Sequence, residues 1–318
     1  MTNWLSIAIF IFAVVFGVFQ AHAARYVAES TPTEAIVPPT TDITHDLQAF
    51  QGLFVIGPVN VKIVRSDKHA IRLTGPTEQV TKTTVQLDEF QLNVVVPEGQ
   101  VLEAVVYMQN LHSIHWQAFG NLTVNAWNSA LLDITTGGEG AVTLTGKFGL
   151  RHLDIGGKTA LTIHEVSSRS MTLRIRDQAA VILRGMAVVD SIELYDKAHL
   201  DLYWLDSYGL RIEAHNQSTV TLAGVADRLV ALLQGNAQLN ARFLRTREAY
   251  VKTYERALAE IQVTDNQNAV AYDESNIYFF TTPQFHASFM ARDGSVLNFD
   301  GIEQAIRGDQ TALIARVK

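Results

Sequence analysis

The chain has 318 residues, 47% hydrophobic and only 18% charged, with no Cys. That apolar share beside so little charge excludes a disordered or low-complexity chain and supplies enough side chains for a large core. A formal charge of −7 argues against a nucleic-acid binder, which needs a basic patch, and the absence of Cys removes disulfide scaffolds, thiolate catalysis and Cys-ligated metal centres.

From Leu5 to Phe19 the segment LSIAIFIFAVVFGVF carries no charge, and the small-x-small triplet Ala21-His22-Ala23 follows it. Fifteen apolar residues are short for a membrane span of about 20 and fit the h-region of a signal peptide over residues 1–23. Cleavage near Ala23 and an extracytoplasmic location, periplasmic or secreted, are therefore expected, with no membrane span in the mature protein. Residues 24–47 hold three of the seven prolines and many Thr, and read as a Pro/Thr-rich N-terminal arm.

Over 48–108 the pattern changes to short runs of period two between Gly, Pro, Asn and Asp: Leu53-Val55 or Phe54-Ile56, Val59-Val61-Ile63, Ile71-Leu73, Val85-Leu87, Leu92-Val94-Val96 and Val105-Tyr107. These predict irregular N-terminal strands of a β domain.

Over 109–300 the strands become regular coils. With Ile155 as reference position 0, apolar residues stand at −2 (Leu153), +6 (Leu161) and +8 (Ile163), and the frame recurs at Trp116, Ile175, Leu194, Ala214, Leu233, Thr253, Ala271 and Ala291. Ile134 fits only if two extra residues are allowed before Val142 and Leu144. Position +2 is Gly157, Asp177, Asp196, Asn216, Gly235, Glu255, Asp273 and Asp293, types that mostly tolerate a left-handed backbone, Glu255 excepted. Position +4 is small throughout, from Thr159 to Ser295. A strand, a tight turn, a second strand and a return every ~20 residues make one coil of a parallel β-helix solenoid, all-β, with about ten such coils expected. Parallel crossovers favour the right-handed form. After Phe299 the frame stops, and Asp300-Gly301-Ile302-Glu303 has the pattern of a helix start, so residues 301–318 are expected to form a short C-terminal helical cap.

The segments FQGLFVIGPVNVKIV and FQLNVVVPEG and the coil series after them resemble the secreted bacterial family called putative auto-transporter adhesin, head GIN domain, over roughly residues 48–300. The resemblance implies a parallel β-helix outside the cytoplasm, without an established activity and without catalytic residues to carry over.

Two outward rows flank the reference position. The row before it reads Asp133, Asp154, Arg174, Glu193, Glu213, Leu232 and Lys252; Glu193 and Glu213 fall on adjacent coils, near the ~5–5.5 Å carboxylate spacing of a retaining glycosidase. A polysaccharide lyase or glycoside hydrolase of β-helix type is therefore the alternative to a non-enzymatic reading, although no long loop is present to build a cleft. The row after it reads Gly156, Arg176, Tyr195, His215, Gln234, Tyr254, Tyr272 and Arg292. Tyr195, His215, Tyr254 and Tyr272 are the candidate ligand-binding stripe, for a glycan or another cell-envelope component, because aromatic rings with flanking amides and cations suit sugar. The same residues are also ordinary cross-strand partners. His112 and His115 point to opposite faces of a strand, and no metal-ligand, nucleotide-binding or other cofactor motif occurs. The leading expectation is an exported, non-enzymatic binding, adhesion-like or envelope structural module.

Overall fold

The computed structural model describes residues 39–281, 284 and 286–298; the expected signal peptide and helical cap lie outside the described residues. It is a parallel β-solenoid of about nine turns, where the sequence led to about ten.

The frame read from the sequence is the core. Leu122, Val142, Leu161, Val181, Leu200, Val220, Leu239, Ala259 and Ile277 each register with the next in parallel strands, and all are buried. One coil cannot hide such residues; stacked at ~4.8 Å, each coil pairs its backbone with both neighbours and its inward side chains close the ladder. Burying each Leu, Ile or Val of the ladder contributes roughly 1.5–3 kcal/mol.

From Gly157 to Asp293 every residue at +2 has the left-handed backbone, with φ from +56° at Asp273 to +77° at Gly235. Glu255, the residue type least suited to it, adopts φ +60° like the others. The acidic choice at this turn has a local reason: the Asp177 carboxylate accepts the Gly157 N–H of the preceding coil at 2.8 Å, and Asp273 accepts that of Glu255 at 3.1 Å. The small residues at +4, from Thr159 to Ser275, are buried at the same corner.

One coil needs no insertion. Trp116 registers with Thr136 and Thr136 with Ile155, so Thr136, not Ile134, occupies position 0; Ile134 pairs with Ile114 and Leu153 at −2. Thr136 is a polar letter two residues from an Ile, yet it is buried at position 0 as Thr253 is. The last described coil also departs from expectation. Ser295 registers with Asn276 and Val296 with Ile277, so the turn at Asp293-Gly294 is one residue shorter, and Leu297, expected inward, faces out.

A third wall returns the chain to each new coil. Its inward residues include Phe148 and Leu150, Val166 and Ser168, Ala187 and Val189, Leu205 and Ser207, Leu229, Ala249 and Gln267. Hydroxyls supplement the strand pairing here: Ser207 Oγ accepts the Val189 N–H and donates to the Val189 carbonyl, both at 2.9 Å. Gln267 registers with Ala249, is wholly buried, and neither of its amide atoms is hydrogen-bonded.

The N-terminal end is built differently. Strand β1 (Thr40–Asp46) lies in what the sequence presented as an arm, and pairs antiparallel with β4 (Ala70–Pro76). Between them β2 (Gly52–Gly57) and β3 (Val59–Arg65) form a first coil. After β4 come a short helix α1 (Thr77–Lys82), β5 (Thr84–Asp88), β6 (Gln91–Val95) and β7 (Leu102–Met108). β6 and β7 pair with β2 and β3 on one side, while β8 (Ser113–Ala118) and β9 (Leu122–Thr136) pair with them on the other. The first coil in sequence is thus the second in the stack. β5 and β4 close the outer edge by antiparallel pairing with β6 and β7. In β7 the inward residues are Leu102, Ala104, Val106 and Met108, so the Val105-Tyr107 run faces outward with Glu103, and the two apolar letters of that run follow the polar face of the strand.

Candidate functional site

The wall that carries position 0 presents three outward rows, at −3, −1 and +1, because outward side chains alternate along each strand. With the register corrected at Thr136, the −1 row is Thr135, Asp154, Arg174, Glu193, Glu213, Leu232 and Lys252. Asp133 belongs to the −3 row, where Arg151 pairs with it.

Every carboxylate in the −1 row has an arginine. Asp154 pairs with Arg176, Glu193 with Arg174 at 2.9 Å, and Glu213 with Arg211. The Glu193 carboxylate, by hydrogen bonding and then by charge, holds the Arg174 guanidinium above its ordinary pKa, and Glu213 does the same to Arg211. Glu193 and Glu213 do register on adjacent coils. Glu193, however, borders a shallow depression of about 350 Å³ lined by strand residues such as His152, Thr172 and Ser191, and Glu213 borders a separate one of about 340 Å³. A glycosidase needs one carboxyl kept protonated and a cleft that orients the sugar; here both groups are matched with fixed cations on an open sheet.

The +1 row carries the stripe. Tyr195 and His215 stack with centroids 5.0 Å apart and planes 3° from parallel, and Tyr254 and Tyr272 stack at 4.8 Å and 4°. Gln234, on the coil between the two pairs, has Oε1 3.2 Å from His215 Nδ1. All four ring residues are half-buried. The spacing is that of the coils, so each ring lies face to face with its partner. Outward, the pairs therefore present ring edges, phenol hydroxyls, an imidazole and an amide. Burial first, then the neighbouring Glu193 charge, hold the Tyr195 phenol above its ordinary pKa, so it is a hydrogen-bond donor at neutral pH. Beside the stripe, Leu232, Tyr250 and Tyr254 line a depression of about 340 Å³ edged by Arg211, Glu213 and Lys252.

One aromatic feature escaped the sequence reading. Trp204 is 69% exposed and adopts φ +66° at the corner after the second strand, as the extra residue between Tyr203, which registers with Ala223, and Leu205, which registers with Gly224. A left-handed backbone costs a residue with a Cβ roughly 1–2 kcal/mol. Nearby Tyr203 registers with Arg184 and Ala223, and Ala223 with Phe243, which is 71% exposed. The repeat frame is carried by inward positions, and this corner lies outside it; the Tyr203-Trp204 pair ahead of a corner that carries glycine on the next coil is the available signal.

Residues 142–283 match the family described as "Putative auto-transporter adhesin, head GIN domain", so the resemblance read from the sequence holds over this stretch. No curated protein matches. Among solved structures, one described as a "putative adhesin" from Bacteroides fragilis is similar at 13% identity, over 81% of this chain and 96% of that one, with a TM-score of 0.29. Another so described, from Parabacteroides distasonis, has 12% identity over 81% and 97%, with a TM-score of 0.39. One described as a "putative lipid binding protein" from Parabacteroides distasonis has 10% identity over 81% and 97%, with a TM-score of 0.41. No helix among the described residues is long and apolar enough to cross a membrane.

Proposed function

We propose that this protein is an exported, non-enzymatic binding module, adhesin-like, and that it contacts glycan along the stripe Tyr195, His215, Tyr254 and Tyr272. The observation that carries the reading is the pair of ring stacks at 5.0 and 4.8 Å, with Gln234 bonded to His215 on the coil between them, in one row of polar edges at coil spacing. Such a row matches a repeating polymer laid along the solenoid axis, one hydrogen-bonding group per coil. The stacked faces shape the expectation: recognition proceeds through phenol, imidazole and amide groups, with a ring face free only where a stack ends. The adhesin description of the matching family supports binding over turnover, as do the arginine-matched carboxylates.

A glycan array on the purified chain tests the reading, with Tyr254→Ala/Tyr272→Ala as the variant. Binding should fall at least about tenfold, a loss of about 1.4 kcal/mol, with little change in melting temperature. A double variant that binds as wild type overturns the stripe. The enzymatic alternative is tested by assaying the same glycans for new reducing ends, with Glu193→Gln/Glu213→Gln as control. Product formed by the wild type and lost in that variant would overturn the non-enzymatic reading.

A further inference from the structure

A concavity of about 900 Å³ lies on the third wall, apart from the stripe and the carboxylate row. It exists because its floor is small. A Cβ on buried Gly149 would meet the Ala130 carbonyl oxygen at 2.1 Å, so adjacent coils touch there backbone to backbone. On the following coil the floor is Ser168, whose hydroxyl accepts the Leu150 N–H at 2.7 Å and is thereby committed to the fold.

The rim is cationic. Lys147, Arg151 and Arg169 stand exposed around the floor, and no Asp or Glu is among the lining residues. Asp133 neutralises Arg151. Lys147 and Arg169 make no ion pair among the described residues; Glu165 registers with Lys147 but stays out of the lining. On a chain of net charge −7 this is a local reversal of sign. Screening beyond about 8 Å at physiological salt lets the local charge decide what approaches.

Along the same wall the chemistry turns aromatic. Ser167, in the lining, registers with Met186 on the next coil, and one coil further the exposed Trp204 stands at its corner. From Arg169 to Trp204 is two coils, about 10 Å along the axis. A chain with anionic groups and sugar rings spans that distance, and a single small anion does not. A bilayer surface fits less well, because the cations surround a recess.

We propose that the concavity and the Trp204 corner form one elongated site for an acidic polysaccharide, its carboxylate or sulfate groups held by Lys147 and Arg169 and a sugar ring resting on the Trp204 indole. The left-handed backbone of Trp204, where glycine would be easier, is then the cost of presenting that indole. The site rests on reading the chain as a binding module, but not on the tyrosine stripe.

The test is binding of the full chain to polygalacturonate, dextran sulfate and neutral dextran as salt is raised, with equimolar phosphatidylglycerol–phosphatidylcholine vesicles in parallel. At least one polyanion should bind, more weakly as salt rises, and neutral dextran should not; which polyanion binds separates carboxylate from sulfate recognition. Lys147→Ala/Arg169→Ala should lower that affinity at least about tenfold and flatten its salt dependence. Trp204→Ala should lower it severalfold at every salt concentration. Both cations are exposed, and circular dichroism melts verify folding. The proposal is overturned when neither polyanion binds the wild type, when the cation variant binds unchanged, or when vesicles alone bind. Tyr254→Ala/Tyr272→Ala should leave polyanion binding intact, so failure here and failure of the stripe are read separately.

Discussion

The two ends of the solenoid treat the same kind of residue in opposite ways. At the N-terminal end, Leu92 and Val94 belong to the outermost coil of their wall and are 0% and 1% exposed, because β5 pairs antiparallel beyond them. At the other end, Phe289 registers with buried Ala269 and yet is 43% exposed. An inward position in the frame is thus not core by itself. It becomes core when elements on both sides cover it, and the N-terminal end obtains that cover by folding the chain back to place β6 and β7 outside the first coil.

This contrast is broken most severely in the middle. Leu161→Asp places a charge between two covering coils, a cost of several kcal/mol, and should prevent folding, whereas Thr162→Asp, one residue away on the outer face, should be tolerated. Phe289→Asp, inward in register but in the last strand of its ladder among the described residues and 43% exposed, should shift the melt only slightly. Equal melts for Leu161→Asp and Thr162→Asp would mean that the assigned inward register is wrong.

Gln267 sharpens the comparison from the opposite direction, since it is covered on both sides and still polar. Gln267→Met keeps its volume and removes a buried amide without a hydrogen bond, so chemical denaturation should show a gain of about 1–3 kcal/mol. A loss instead would show that the amide has a partner in solution.

At the +2 turn, Glu255→Asn should stabilise by up to about 1 kcal/mol, because Asn tolerates the left-handed backbone that Glu255 is held in. The N–H bonded by Asp273 is untouched by the change. The same substitution at a regular strand position, such as Glu260→Asn, should bring no gain, and a gain at both sites would assign the effect to charge.

The smallest effect is electrostatic. The Arg151 guanidinium, by hydrogen bonding, holds the Asp133 carboxyl below its ordinary pKa, against a smaller desolvation effect. A lowered folded-state pKa contributes stability that is complete above the unfolded value and is lost as pH falls through the folded one. Asp133→Asn should therefore lower stability near neutral pH by under about 1 kcal/mol, since the pair is partly exposed. That difference should vanish in acid, below the depressed pKa of Asp133.

Much of this was legible in the chain. Period-two alternation, a recurrence near 20 residues and the Asp/Asn/Gly row named the solenoid, its inward ladders and its turns, because one repeated local problem has one repeated local solution. The outward stripe could be listed by register for the same reason. Position 0 at Thr136 was misread because a threonine whose methyl faces the core is still a polar letter, and an isoleucine stood two residues away. The shortened turn before Val296 likewise leaves no mark in composition.

What only the tertiary structure decided is non-local. The order of the first coils in the stack depends on which edge β6 finds free, and no residue spacing encodes an edge. That Tyr195 meets His215 face to face, leaving only ring edges outward, follows from coil spacing together with side-chain rotamers. The recess beside Lys147 exists because Ala130, Gly149 and Ser168, each unremarkable in its own stretch of sequence, arrive on three successive coils as one floor. The sequence determines which residues repeat; stacking determines which of them become neighbours, because contacts between coils join residues about 20 apart through backbone pairing that every coil offers alike.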